Sequence, residues 1–429
     1  MVAVAIVAIT YGLIVADRFD RSIIALLGGG AMILAGVETQ SEAIRGIDFN
    51  TLALLSGMMM LVSIMRRSGI FEFLAIWSAQ RVRASPAGIL VMLALVTALV
   101  SSLLNNVTTV LLVAPVTLSM ARRLGVAPFP FLFAEAMASN IGGTATLIGD
   151  PPNILIGSAA GLSFNDFVGG LMPIVLVVLA AQIVLCHLIW GRSLGATEAA
   201  RAGVMALDPR AAIADRRLLV QSLVVLVVVV LAFVFEREIG LEPGSVALFG
   251  AAGLLLLDNV AHHRHVQTRN ITAIYGDVDW ITIFYFVGLF ILVHGLETTG
   301  IIASLGRALA DTAHGNLTAA ALAVLWGSAM LSAFFDNIPF VVAMIPIIRT
   351  IAPSLGGDAA LLPLWWALSL GSCLGGNATL IGASANLTVA GVAEREGIGF
   401  GFLRYGRYAA PLTVVSLAIC HLYLWLRYL

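Results

Sequence analysis

Long apolar stretches occupy most of the sequence and constrain its fold more than any other feature. Only 11% of the 429 residues are charged, which is too few to cover a water-soluble protein of this length. About 20 apolar residues let a helix cross a bilayer, so the sequence predicts an all-α membrane protein. The twelve stretches lie at 1–16, 22–37, 51–65, 86–121, 129–160, 170–190, 218–235, 244–257, 280–297, 317–352, 361–393 and 408–427.

Arginine placement orients these segments, because cytoplasmic loops carry an excess of basic residues. The loop 191–217 contains five Arg and three acidic residues, whereas 236–243 contains one Arg and three Glu. We therefore predict a cytoplasmic linker at 191–217 and an external loop at 236–243. Counting the crossings back from the linker places both ends of 86–121 on the cytoplasmic side, so this segment is predicted to be a re-entrant hairpin. Its turn is predicted at the polar segment 105–109.

An internal repeat relates the two halves of the chain. The octapeptide GGTATLIG at 142–149 recurs as GGNATLIG at 375–382. The predicted first repeat is 1–190, with hairpin 86–121 and broken helix 129–160. The second is 218–429, with hairpin 317–352 and broken helix 361–393. Each half makes five crossings, so there are about ten crossings and the second repeat is inverted. Inverted repeats with interrupted helices are typical of secondary transporters. Further pairs, 231 residues apart, are Gly57 and Gly288, Gly69 and Gly300, Asn106 and Asn337, and Pro115 and Pro346.

Four polar segments interrupt the apolar stretches, at 101–109 and 139–153 in the first half and at 332–340 and 372–386 in the second. Such breaks persist in a membrane only where protein or a water-filled cavity satisfies the freed backbone groups. Close helix packing is an alternative explanation for the glycines, but Asn and Thr at matched positions favour a binding site. The predicted substrate- and ion-binding residues are Asn105, Asn106, Thr108, Thr109, Asn140, Gly142, Gly143, Thr144, Thr146, Asp150, Asn153, Asp336, Asn337, Ser372, Gly375, Gly376, Asn377, Thr379, Ser384 and Asn386.

Two of these residues, Asp150 and Asp336, are carboxylates and are predicted to couple transport to protons. A charged side chain at the bilayer centre costs about 2.5–3.5 kcal/mol on insertion scales, so such residues usually have a function. The alternative is that each only caps a helix fragment. They are not repeat partners, since Asp336 aligns with Asn105 and Asp150 aligns with Ala383.

Three other features have two interpretations each. Glu135 is either a proton relay or a hydrogen-bonding residue in helix packing. Cys373 is either a thiol that contacts a soft ligand or a small packing residue. The tract HHRH at 262–265 looks like a metal-binding sequence, but beside Arg269 it is better explained as a positive cluster at the membrane interface. No metal site and no cofactor are predicted.

The break motifs resemble the ArsB/NhaD branch of the ion transporter superfamily. The segments that carry the resemblance are NNVTTVLLVAPVT, NIGGTATLIGDPPNILI, LLSGMMMLV, DNIPFVVAMIP and CLGGNATLIGASAN. That branch includes arsenite efflux permeases, NhaD-type sodium/proton antiporters and the melanosomal P protein, and the GDPPN and GASAN tails resemble the P-protein group. The resemblance implies two opposed hairpins and two broken helices that move as a transport domain against a scaffold, usually in a homodimer.

The chain is also similar in architecture to citrate and dicarboxylate carriers with Ser-Asn-Thr at their hairpin tips. Here the tips read Asn-Asn-Val-Thr at 105–108 and Asp-Asn-Ile-Pro at 336–339. The match is partial, which argues against a di- or tricarboxylate substrate.

The sequence therefore predicts a secondary active transporter, multi-pass in the cell (inner) membrane. The first hypothesis is efflux of arsenite or antimonite coupled to protons, because Asn and Thr can bond the three hydroxyls of neutral arsenous acid. A sodium/proton antiporter and a channel-like anion pathway are the alternatives. The expected partners are a small inorganic substrate, a coupling ion (proton or sodium) and the lipid bilayer, and no nucleic acid. The sequence contains no nucleophile–base pair or cofactor loop, so no enzyme is predicted. It contains no ATP-binding motif, so pumping by ATP would require an ATPase subunit.

Overall fold

All regular elements in the described part of the chain are helices, which confirms the all-α prediction. The computed structural model describes residues 2–15, 18–260, 262–297, 299, 316–355 and 357–429. Gly300, which the repeat pairs with Gly69, lies outside these ranges. The α-helices are Val2–Val15, Arg21–Leu34, Gln40–Gly46, Phe49–Arg66, Ile70–Arg81, Pro86–Leu103, Asn106–Leu124, Phe129–Gly143, Pro151–Ala160, Phe164–Gly170, Met172–Trp190, Glu198–Met205, Arg216–Val234, Glu236–Ile239, Pro243–Asn259, Arg264–Gly276, Trp280–Glu297, Leu317–Ser332, Asn337–Leu355, Leu362–Gly375, Ser384–Arg395 and Phe402–Arg427.

Seven of the helices that the structure describes are long and apolar enough to cross a membrane. They are Phe49–Arg66, Pro86–Leu103, Asn106–Leu124, Met172–Trp190, Arg216–Val234, Trp280–Glu297 and Phe402–Arg427. Five shorter apolar helices accompany them. Apolar side chains such as Val224, Val227 and Val228 lie exposed on the outer helix Arg216–Val234. A large apolar surface of this kind is stable against lipid rather than water.

Each predicted hairpin is a pair of helices joined by a short turn. In the first, Pro86–Leu103 and Asn106–Leu124 are separated by only two residues. The polar segment 105–109 suggested a longer turn. Asn105 instead caps the second helix, because its side chain accepts a hydrogen bond from the N–H of Val107 at 2.9 Å. In the second hairpin, four residues, 333–336, separate the two helices.

Each predicted broken helix consists of two fragments joined by a non-helical or 3₁₀ segment. The first stops at Gly143 and resumes at Pro151, and the second stops at Gly375 and resumes as an α-helix at Ser384. Pro151 begins the new fragment because proline fits the first turn of a helix, where its missing N–H is not needed. Both interruptions fall inside the polar segments 139–153 and 372–386.

Hairpin and broken helix pack together in the same way in both halves. A Cβ atom added at Gly142 would lie 2.5 Å from Cα of Ala98, and one added at Gly375 would lie 2.6 Å from the carbonyl oxygen of Ala329. No side chain fits at such distances, so glycine allows the backbones of the two helices to touch. These matched contacts agree with the repeat read from the sequence.

The helices that precede the hairpins exchange partners between the halves. Gly57 would place a Cβ 2.6 Å from the carbonyl carbon of Ala247, and Gly288 would place one 2.6 Å from the carbonyl oxygen of Ala25. Helices of the two halves therefore pack against each other. The boundaries 1–190 and 218–429 remain a prediction of where the sequence repeats, and they do not divide the chain into separate domains. The paired helices are Arg21–Leu34 with Trp280–Glu297, and Phe49–Arg66 with Pro243–Asn259.

Candidate functional site

A cavity of about 440 Å³ reaches the tips of both hairpins and the break of the first broken helix. This volume falls within the usual range for small-molecule sites. Its lining includes Asp20, Arg66, Asp277 and Asp279, which lie at helix ends on the predicted cytoplasmic side. With that orientation, the cavity opens toward the cytoplasm. The predicted binding residues that line it are Asn105, Asn106, Thr108, Asp150, Asn337 and Ser384.

Buried asparagines from both halves form one hydrogen-bonded network at the inner end of this region. The amide Nδ2 of Asn140 donates to Oδ1 of Asn377 at 2.8 Å and to Oδ1 of Asn386 at 3.0 Å. Asn106 at the hairpin tip donates from Nδ2 to Oδ1 of Asn140 at 3.0 Å. The N–H of Asn106 also donates to the carbonyl of Gly149. The first hairpin and both broken helices thus meet at side chains that the sequence predicted as a site.

Two other predicted residues, Asn153 and Asn386, hold the breaks in shape. The amide of Asn153 donates to the carbonyl of Thr146 at 2.9 Å. The amide of Asn386 donates to the carbonyls of Gly376 and Thr379, both at 3.0 Å. Each asparagine therefore satisfies carbonyls that lipid could not, in the same way in both halves.

The other predicted hydroxyl residues and the predicted glycines lie behind the cavity wall and contact backbone. Cβ atoms added at Gly143 and Gly376 would collide with the carbonyls of Gly149 and Gly382 across each break. The hydroxyls already donate their hydrogens within the protein, so only their oxygen lone pairs remain for a ligand. Those hydroxyls belong to Thr109, Thr144, Thr146, Ser372 and Thr379, and their acceptors are the carbonyls of Asn105, Asn140, Ser102, Leu368 and Ala333, respectively.

The carboxyl group of Asp150 is buried against the cavity and has no hydrogen-bond partner among the described residues. The residue is 1% exposed, and its neighbours include Asn106, Asn337 and Cys373. It precedes the helix Pro151–Ala160 but makes no capping hydrogen bond, so capping does not explain it. An ion in this position would be expensive without a compensating charge. The group therefore requires a proton or a bound cation.

Asp336 has a different environment from Asp150, because it forms an ion pair with Arg21. The guanidinium nitrogens of Arg21 also lie 3.3 Å from Oγ of Ser384. The same guanidinium lies over the ring of Tyr285, with its carbon 5.2 Å from the ring centre. Arg21 is not recognisable as a site residue from the sequence, because an arginine before an apolar span is also what the charge rule for cytoplasmic loops expects.

Glu135 and Cys373, for which the sequence left two interpretations each, are both fully buried. Thr117 in the first hairpin donates a hydrogen bond to Glu135, a contact of the kind expected for helix packing. The Sγ atom of Cys373 lies 3.7 Å from Oδ1 of Asn153. Cys373 also lies against Asp150, behind the residues that line the cavity, and Glu135 does not line the cavity either.

Comparison with known proteins gives concordant matches over nearly the whole chain. Residues 11–371 match a family model described as a citrate transporter. An uncharacterized transporter of Mycobacterium tuberculosis is 44% identical over 433 residues, covering 100% of this chain and 98% of the relative. The human P protein is 32% identical, covering 99% of this chain and 59% of the P protein.

The fold comparison agrees with these sequence matches. The crystal structure of the Alcanivorax borkumensis YdaH transporter aligns with a TM-score of 0.61, at 14% identity, and covers 91% of this chain and 86% of that chain. At such low identity the match shows a shared fold and nothing about the substrate.

Proposed function

The chain belongs to the citrate transporter family and is a multi-pass membrane transporter, and from this premise we propose that it exports arsenite or antimonite from the cell in exchange for protons. One observation carries the proposal. The cavity ends at neutral amides and hydroxyls beside one buried carboxyl group, that of Asp150, which has no hydrogen-bond partner in the described part of the chain. The proposed location is the cell membrane.

The charges along the cavity support a neutral or cationic substrate. Among the described residues that line it, four are aspartates and two are arginines. Arg66 is already paired with Asp277 at 2.8 Å, and Arg21 is paired with Asp336. An anion such as citrate would meet an excess of negative charge and no unpaired arginine in this lining. The same charges disfavour an anion pathway. The lining residues counted are Asp20, Asp150, Asp277, Asp279, Arg21 and Arg66.

Arsenous acid and its antimony analogue satisfy this lining. They are uncharged near neutral pH and carry three hydroxyls, each of which can donate and accept one hydrogen bond. Asn106, Thr108 and Asn337 supply amides and a hydroxyl that can do both. A small solute with three hydroxyl groups can therefore find partners on both hairpins at once.

Asp150 can couple this substrate to protons by competition. A substrate hydroxyl can donate to the ionised carboxylate, and such charge-assisted hydrogen bonds are stronger than neutral ones. A proton on Asp150 removes the negative charge and that advantage. Substrate and proton then favour opposite protonation states of one group, which is the thermodynamic requirement for exchange.

Sodium/proton antiport is the second candidate, and the same carboxylate favours it. Both carboxyl oxygens of Asp150 are without a hydrogen-bond partner among the residues that the structure describes, and they could contact a monovalent cation in place of a proton. In this alternative the acidic lining of the cavity would attract the cation.

Purified protein in proteoliposomes tests both candidates. We expect an imposed pH gradient to drive arsenite and antimonite flux when all sodium is replaced by choline, and we expect no citrate flux. Asp150→Asn should abolish the pH-driven flux, whereas Asp208→Asn, the same change on the 191–217 linker, should not. Sodium flux without arsenite flux would reject the first candidate in favour of the second.

A further inference from the structure

The ion pair between Arg21 and Asp336 joins parts of the chain 315 residues apart. Arg21 begins the helix Arg21–Leu34, and Asp336 directly precedes the second hairpin helix, Asn337–Leu355. Nη1 of Arg21 donates to Oδ2 of Asp336. Arg21 lines both the polar cavity and a second, mostly apolar cavity of about 500 Å³ beside the second hairpin tip, and Asp336 lines the second cavity.

Arg21 is held on three sides, which fixes its charge in one place. Asp336 pairs with it, Ser384 lies 3.3 Å from two of its nitrogens, and Tyr285 lies against its face. The side chains of Arg21 and Asp336 are 30% and 15% exposed, so water screens them only in part. A guanidinium stays charged at any physiological pH. The result is a permanent cation attached to the chain beside Asp336.

Capping of the hairpin helix does not explain Asp336. In the first hairpin the matching position is Asn105, whose side chain caps its helix through the N–H of Val107. Oδ1 of Asp336 is buried and has no hydrogen-bond partner within the described chain. Folding of a hairpin tip therefore does not require a carboxylate, and the negative charge of Asp336 serves its pairing with Arg21.

Without the guanidinium, the same oxygens would suit a small monovalent cation. Oδ2 of Asp336 and Oγ of Ser384 both lie within hydrogen-bond distance of the guanidinium, and Oδ1 of the same carboxylate is buried with no partner among the described residues. In transporters with interrupted helices, oxygens at the broken helices coordinate sodium. We propose that Arg21 is a tethered counter-cation that occupies a sodium site formed by Asp336 and Ser384, and so excludes sodium from it.

This inference rests on the proposed function in one respect, because it leaves Asp150 as the coupling carboxylate. It assigns Asp336 a role other than the proton coupling predicted from the sequence. Its test measures cation binding without transport, so it can fail while proton-driven arsenite export is observed, and the reverse.

The test is thermal unfolding of purified protein in detergent, in sodium chloride or in choline chloride at equal ionic strength. Wild-type protein should unfold at the same temperature in both salts. Arg21→Gln should gain a sodium-dependent rise of about 2 °C or more, since ligand binding to the folded state raises Tm. The double variant R21Q/D336N should lose that rise. Arg67→Gln is the matched control, because it breaks the Arg67–Asp258 ion pair, which lies outside the cavity; it should gain nothing.

Two results would overturn the inference. One is a sodium-dependent Tm in the wild-type protein that persists in Asp150→Asn and is lost in Asp336→Asn. The other is R21Q protein that is folded but indifferent to sodium. Arg21→Met, which keeps an apolar stem against Tyr285, is purified in parallel in both salts in case R21Q does not fold. R21M protein that folds in sodium chloride but not in choline chloride would support the inference. R21M protein that folds in neither salt would show that the ion pair serves folding instead.

Discussion

Replacement of Gly142 by alanine tests the close packing on which the site depends. The added Cβ would lie 2.5 Å from Cα of Ala98, whereas carbon atoms in contact lie about 3.5–4.0 Å apart. Relief requires the helix and the hairpin to separate by about 1 Å, and overpacking of this kind costs about 1–3 kcal/mol or more. We expect Gly142→Ala to lower the free energy of unfolding by at least about 1 kcal/mol, and Gly375→Ala to do the same in the second half.

Gly253→Ala is the matched control, because an added Cβ on that helix meets nothing within 4 Å. A glycine in the middle of a helix costs about 0.5–1 kcal/mol relative to alanine, so this variant should be as stable as wild type or more stable. Unfolding by a denaturing detergent, followed by far-UV circular dichroism, measures all three variants. If G142A were as stable as G253A, the hairpin and the broken helix would not pack so closely that only glycine fits at position 142.

Three further outcomes are expected. Cysteine at Ala202 should be protected from an impermeant thiol reagent in intact cells while cysteine at Gly240 is labelled, and the opposite pattern would contradict the orientation; the native cysteines are buried and should give little background. Asn106→Ala or Asn337→Ala should abolish arsenite flux in proteoliposomes with near-normal expression, and normal flux in both would move the site elsewhere. Asp150→Asn should lose pH-driven flux yet retain arsenite exchange with about tenfold weaker binding, as for one lost hydrogen bond, whereas total loss of exchange would contradict proton coupling through Asp150.

The interruptions of the helices could be predicted from the sequence because their causes are local. The glycine pairs at 142–143 and 375–376 weaken a helix, and the Pro151–Pro152 dipeptide removes two backbone donors, so both favour a break from nearby sequence alone. The observed ends of the fragments fall within the predicted breaks. The first hairpin turn is shorter than predicted, because the capping bond of Asn105 lets the helix start one residue later.

Contacts between distant residues could not be predicted in this way. Arg21 meets Asp336 across 315 residues of sequence, and an arginine beside a membrane span is expected from the charge rule for cytoplasmic loops whether or not it has a partner. The sequence also does not show which asparagines bind a ligand and which only stabilise the breaks. Asn153 and Asn386 were predicted as ligands for a substrate, and the structure has both donate to carbonyls of the breaks. Their residue type and spacing are the same for either role.

The packing of the two halves is symmetric, but their charges are not. Close glycine contacts and hydrogen bonds from an asparagine amide to carbonyls of the break occur at matched positions in both halves. Asp150 has Ala383 at the matching position, and Asp336 has Asn105. If the transport cycle exchanges the conformations of the two halves, the Arg21–Asp336 pair lies on one side only, so the two end states cannot have equal energy. The symmetric helix packing allows both end states to form. Because the charged residues are placed asymmetrically, proton and substrate binding can shift the population from one end state to the other.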